Sequence, residues 1–168
     1  MRQLLIPILL LSACSGGSDQ QAGNSAAPVQ PKAEVSATPA ASNSLTGLFE
    51  SGEERRNQLC LIEGEGGARF GLVVWGANDH SCSGVGSATR DGNRLTLSMT
   101  GDETCSIQAE FDGTTIQLPE TLPDGCNYYC GARARMSGTS FARAGSTQAD
   151  ALKATDLVGE PLCRSQPS

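Results

Sequence analysis

Histidine is nearly absent from this chain: His80 is the only one among 168 residues. A lone imidazole argues against a histidine-rich metal centre, and cysteine-built zinc sites need paired C-x2-4-C spacings, which only Cys126-x3-Cys130 approaches. No metal and no cofactor is therefore expected. Catalytic motifs are missing as well. Asp79-His80-Ser81 offers triad residue types, but on a strand or turn these side chains diverge, and no Gly-x-Ser-x-Gly elbow accompanies them. Gly64-Glu65-Gly66-Gly67 lacks the Lys-Ser/Thr ending of a phosphate-binding loop. The segment from Cys126 to Cys130 is one residue too long for a thioredoxin-like redox centre. Glu63/Glu65 and Glu53/Glu54 are most simply solvated turn charges, since glycoside chemistry needs two carboxylates held about 5–10 Å apart across a cleft. The chain is not expected to be an enzyme.

Positive charge is in short supply too. Twelve Lys and Arg against eighteen Asp and Glu give a net charge of −6, and the two signs are interspersed. That balance leaves no footprint for nucleic acid, so none is expected as a partner. Aromatic residues make up only 4% of the sequence, and no long apolar run follows the first dozen positions. With 20 glycines, the composition suits one small, turn-rich β domain with a thin core.

What is present begins at the amino terminus. Met1 and Arg2 supply a short basic start, residues 4–11 are apolar, and the small residues Ser12 and Ala13 follow, which is the layout of a signal peptide. The run is too short for a bilayer core of roughly 30 Å, which needs about 20 apolar residues, and Pro7 weakens it further as a permanent membrane helix. Leu11-Ser12-Ala13-Cys14 resembles the bacterial lipobox. That resemblance covers the first fourteen residues and implies cleavage before Cys14, a diacylglyceryl group on its thiol and an acylated (palmitate-type) amino terminus. The predicted partner is thus a membrane, reached through lipid, and the predicted location is the cell envelope. Ser15 in place of Asp resembles the outer-membrane sorting class, which in a Gram-negative source places the protein on the outer membrane facing the periplasm.

The expected organisation is a signal peptide at 1–13, a lipidated cysteine and disordered tether at 14–44, and a disulfide-stapled β domain at 45–168. The tether is rich in Gly, Ser, Ala, Gln and Thr with Pro28, Pro31 and Pro39, and cannot bury enough apolar area to offset its ordering entropy. From residue 59 onward, short alternating runs are punctuated by turn residues. Strands are expected at 59–62, 69–75, 81–89, 94–99, 105–111 and 114–118, with Asp112-Gly113 as a hairpin signal. A further strand pair is expected within 131–141, and a helix at 150–158 with Leu152, Leu157 and Val158 toward the sheet. The predicted fold class is mainly β, a small antiparallel meander closed as a barrel or folded as a sandwich, with a short C-terminal helix.

Setting Cys14 aside leaves Cys60, Cys82, Cys105, Cys126, Cys130 and Cys163. An even set in an exported chain implies a disulfide framework, with the pairing open among fifteen possibilities. The candidate binding surface rests on charge and aromatic placement. Arg133 and Arg135 alternate with Ala132, Ala134 and Met136, so a strand would present both guanidinium groups on one side, joined by Arg143 from the next strand. Tyr128 and Tyr129 lie in the cysteine-bracketed segment, as partner-anchoring aromatics often do. Such a stripe suits an acidic protein surface or a lipid headgroup; the competing arrangement neutralises it with Glu110 or Asp112. Lipid anchor, polar tether and stapled β domain together resemble the organisation of envelope lipoproteins that bind or inhibit other proteins, the periplasmic lysozyme inhibitors among them. The expected role is non-catalytic binding, hydrolase inhibition included, or envelope maintenance. The alternatives are a surface protein without a specific ligand and, behind it, an enzyme.

Overall fold

The computed structural model of the protein describes residues 43–164. The expected signal peptide, Cys14 and nearly all of the expected tether lie outside the described residues. Eight strands run up and down in sequence order and close into a barrel: β1 (Gly47–Ser51), β2 (Asn57–Gly64), β3 (Gly67–Trp75), β4 (Ser81–Asp91), β5 (Arg94–Met99), β6 (Ser106–Phe111), β7 (Thr115–Gln117) and β8 (Ser140–Gly145). Of the two architectures left open by the sequence, closure selects the barrel. It depends on β1, which the alternation from residue 59 did not reveal. β1 pairs with β2 along its whole length and with β8 through Phe49↔Arg143 and Glu50↔Ala142, with a bulge between Leu48 and Phe49.

The turns form where the residues demand them. Glu65-Gly66 and Gly92-Asn93 make two-residue connections between β2 and β3 and between β4 and β5. At the β6–β7 turn, the Asp112 carboxylate accepts hydrogen bonds from the backbone N–H groups of Thr114 and Thr115 and from the Thr114 hydroxyl. These bonds to the charged form hold the Asp112 carboxyl below its ordinary range.

The interior is packed with side chains rather than left hollow, as an eight-stranded barrel permits. All four phenylalanines of the sequence, Phe49, Phe70, Phe111 and Phe141, are buried there among Leu59, Leu61, Leu72, Leu95, Leu97, Ile107, Ile116 and Leu118. Each such side chain contributes about 1.5–3 kcal/mol relative to exposure, so a sequence poor in aromatics concentrates them where they count. Gly86 belongs to this interior for a steric reason: a Cβ there would collide with the Ser98 carbonyl and approach the Phe70 ring to 2.7 Å.

A second apolar cluster lies on the outer face of β1–β3. Leu48, Cys60, Ile62 and Val73 point outward and are covered by Ala151, Ala154, Leu162 and Cys163 of the C-terminal segment. β2 and β3 are therefore buried on both faces, which accounts for the unbroken apolar runs at 59–62 and 72–74 where strict alternation fails. The covering segment starts at α1 (Gln148–Ala151), whose cap is reciprocal: the Thr147 hydroxyl accepts from the Asp150 N–H while the Asp150 carboxylate accepts from the Thr147 N–H. Hydrogen bonds from Lys153 and Thr147 pull the Asp150 carboxyl down to about 2.

Two segments fold differently from the expectation set by their sequence. The helix at 150–158 is instead one short turn that starts earlier and stops at Ala151. The Asp156 carboxylate takes the N–H groups of Val158 and Glu160, competing with helical bonding, and the chain doubles back through Leu162 N–H to Ala154 C=O. Leu157 and Val158 consequently sit in solvent, 50% and 83% exposed, rather than against the sheet. The strand pair at 131–141 is likewise absent: only Ser140–Gly145 is a strand. The preceding backbone satisfies itself elsewhere, with Gly131 N–H donating to Ser81 C=O, Arg133 C=O accepting from Ala77 N–H and Gly138 N–H donating to Pro119 C=O.

Candidate functional site

The connections at the two ends of the barrel differ greatly in length. At the end where β1 begins they are tight turns, whereas the opposite end carries the long excursion 118–139 between β7 and β8. Pro119 and Pro123 prevent that segment from continuing a ladder, and a 3-10 turn follows at Asp124–Tyr129. Two of the three disulfides fix it. Cys126 is bonded to Cys105 just before β6, and Cys130 to Cys82 within β4; the third bridge joins Cys60 of β2 to Cys163. All six domain cysteines are thus paired, in a connectivity that the sequence left open.

The tyrosines divide their roles. The Tyr129 hydroxyl donates to the Thr100 carbonyl at 3.0 Å, and its ring packs against the core. Tyr128 meets it edge-on, with ring centroids 5.2 Å apart, and remains 78% exposed. The outer ring is therefore held in place by one that is itself bonded and flanked by disulfides.

Arg133 and Arg135 are both exposed, while Ala134 and Met136 are buried. The in-and-out alternation expected of a strand occurs here without a strand, imposed by two apolar side chains closing the barrel mouth. Neither guanidinium has a hydrogen-bond or ion-pair partner among the described residues. Asp112, suggested by sequence as a neutralising partner, is engaged with Thr114 and Thr115 in the turn at the far end.

Arg143 does not join that stripe. Its register partner is Phe49, so it shares the inward face, and it lies over the Phe49 and Phe111 rings at 4.5 and 5.5 Å. Its guanidinium donates to the carbonyls of Gly113, Thr46 and Ser44. Burial lowers its pKa from the ordinary arginine value; nearby Glu63 opposes that effect and Arg90 adds to it. Arg90, also inward, lies 4.7 Å from the centre of the Phe111 ring and donates to the carbonyls of Gly92 and Asn43. These two arginines close the end where the chain joins the barrel. Continuing the inward alternation from Ala88 to Arg90 and from Phe141 to Arg143 would have disclosed them.

Among the described residues, no hydrogen bond or ion pair joins His80 to a carboxylate. Although partial burial opposes it, hydrogen bonds from the Ser44 and Thr46 hydroxyls and from the backbone of Leu45 and Thr46 hold the Glu63 carboxyl below its ordinary range. Asp79 pairs with Arg55, which also lies over the Trp75 ring at 5.1 Å. His80 follows Asp79 as the chain leaves a short 3-10 turn and starts β4.

Between the arm 120–122 and the arm 126–137 lies a cleft of about 500 Å³. Its floor is Leu122, Cys126, Ala134 and Met136, and its polar rim includes Glu120 and Arg135. No family model, no curated protein and no solved structure matches this chain.

Proposed function

We propose that this protein is a lipid-anchored component of the bacterial cell envelope whose barrel is a non-catalytic binding module for an acidic protein, an inhibited hydrolase being one such partner. The observation that carries this reading is the presentation of Tyr128, Arg133 and Arg135, without charge partners among the described residues, on a segment that two disulfides pin to β4 and to the start of β6. A rigid anchor of this kind loses little conformational entropy on binding, which is how preorganised surfaces gain affinity. Exposed Tyr and Arg are the residue types that dominate binding energy at interfaces. The lipid anchor rests on the lipobox-like Leu11 to Cys14.

The test is charge reversal at Arg133 and Arg135 together, followed by crosslinking capture in the native envelope and mass spectrometry. The double variant is expected to lose the partners that the wild type captures, with raised salt weakening wild-type capture, while the melting temperature hardly moves because both side chains are solvated. Equal capture by variant and wild type would make the surface ordinary and favour a protein without a specific ligand.

A further inference from the structure

The cleft beside Arg135 has a chemistry more specific than an acidic patch. Its floor is apolar and almost inaccessible, Met136 at 1%, Cys126 at 2% and Ala134 at 7% exposure, with Leu122 packed against the core below. Arg135, exposed between two buried neighbours, lines the same cleft as Leu122, Cys126, Ala134 and Met136. Glu120 stands on the other arm. Its carboxylate occupies the space over Gly138, where a Cβ would meet both oxygens at 2.8 Å, and Gly138 itself has φ +69°. A side chain at Gly138 would be strained and would also displace Glu120. Glu120 and Arg135 make no ion pair with one another or with any other described residue. The cleft thus offers, on a disulfide-fixed frame, a guanidinium and a carboxylate that make no ion pair among the described residues, above an apolar floor.

We propose that this cleft receives the C-terminal end of a polypeptide that finishes in an apolar residue. This deepens the reading of 118–139 as a binding surface and rests on it. At a chain end the α-carboxylate and the last side chain branch from one carbon, so a single residue can engage a cation and an apolar floor that line one cleft. The planar guanidinium of Arg135 takes the carboxylate through two parallel hydrogen bonds. The last side chain lies on the partly exposed Leu122, above the packed Ala134 and Met136, and the backbone N–H of the final residue donates to Glu120. An internal acidic residue carries its carboxylate at the tip of a polar side chain and brings no apolar group to the same point. Charge complementarity therefore selects a chain terminus. A volume of about 500 Å³ accommodates one or two residues, within the roughly 300–1,000 Å³ usual for small-ligand sites.

The probe is acetyl-Gly-Leu with a free carboxylate, titrated into the full chain and followed by amide chemical shifts and calorimetry, with acetyl-Gly-Leu-amide as its neutral counterpart. Saturable binding is expected, with shifts confined to 120–122 and 134–137. Amidation of the peptide is expected to weaken binding about tenfold or more, the scale of a lost charge-assisted pair. Arg135→Ala, an exposed change, is expected to cost the same factor and to abolish the discrimination between acid and amide. No shifts at millimolar peptide, shifts elsewhere, or equal binding of acid and amide by the wild type would each overturn the proposal. If the peptide fails while charge reversal at Arg133 and Arg135 still abolishes partner capture, the cleft inference falls and the binding surface stands. If capture is also unaffected, both fall.

Discussion

The guanidinium of Arg143 reaches three carbonyls at once, those of Ser44, Thr46 and Gly113, while lying over two phenylalanine rings. It ties the first described residues of the chain to the β6–β7 turn and to β8, so that three segments distant in sequence meet at one side chain. Lysine at this position would keep the charge but lose the planar fork that serves three acceptors. Arg143→Lys is expected to lower unfolding free energy by about 1–3 kcal/mol, the scale of losing one or two charge-assisted hydrogen bonds. Arg143→Ala is expected to lose more, and urea denaturation followed by circular dichroism measures both. A midpoint unchanged in Arg143→Lys would mean that the bonds contribute nothing net. The role was readable in principle, since residues 141 and 143 share a strand face, but an arginine is assigned to solvent by default. The three acceptors that overturn the default come from elsewhere in the chain.

Among the elements, the C-terminal segment has little local stability of its own. Its short helix could not persist alone, because four residues cannot repay nucleation. What retains it is the apolar face of β1–β3 and the Cys60–Cys163 bridge, which closes a sequence separation of 103 residues. Closing a loop of about 100 residues is worth about 4–5 kcal/mol in the chain-entropy model. The double change Cys60→Ser and Cys163→Ser is expected to lower the melting temperature sharply and to raise binding of a hydrophobic dye as Leu48, Ile62 and Val73 become exposed. The barrel interior forms a separate cluster and is expected to keep its strand signal in far-UV circular dichroism. Loss of all strand signal would show that the outer cluster is part of the barrel's own cooperative unit. In the wild type, thiol titration of the denatured, unreduced domain is expected to find no free cysteine among the six.

For the whole molecule, the proposed anchor turns on Cys14, which lies outside the described residues and is where the lipobox resemblance of Leu11-Ser12-Ala13-Cys14 would place a lipidated amino terminus. Two or three acyl chains, each contributing about 0.8 kcal/mol per buried CH2, would hold a domain of this size at a membrane far beyond a single marginal chain. Cys14→Ser is expected to move the protein from the membrane fraction to the soluble one, with mass spectrometry of the wild type showing cleavage before Cys14 and an acylated terminus. Wild-type protein found soluble with an unmodified terminus would remove the anchor from the account. The paired cysteines of the barrel are compatible with an oxidising compartment.

The sequence by itself determined the strands from β2 to β7, because alternation and turn residues are local signals that survive without knowledge of the fold. It determined the presence of a cysteine framework, while the period of two that puts Phe70, Leu72 and Val74, Leu95, Leu97 and Met99, and Ile107, Ala109 and Phe111 on common strand faces left to the barrel which face is inward. Tertiary structure decided what depends on distant partners. Closure through β1 required the register Phe49↔Arg143. Choosing one disulfide pairing required the barrel to bring Cys82 to Cys130, Cys105 to Cys126 and Cys60 to Cys163. At 131–139 the alternation that signals a strand was produced by Ala134 and Met136 filling the barrel mouth, since burial alone sets that period and does not reveal where the backbone hydrogen bonds go.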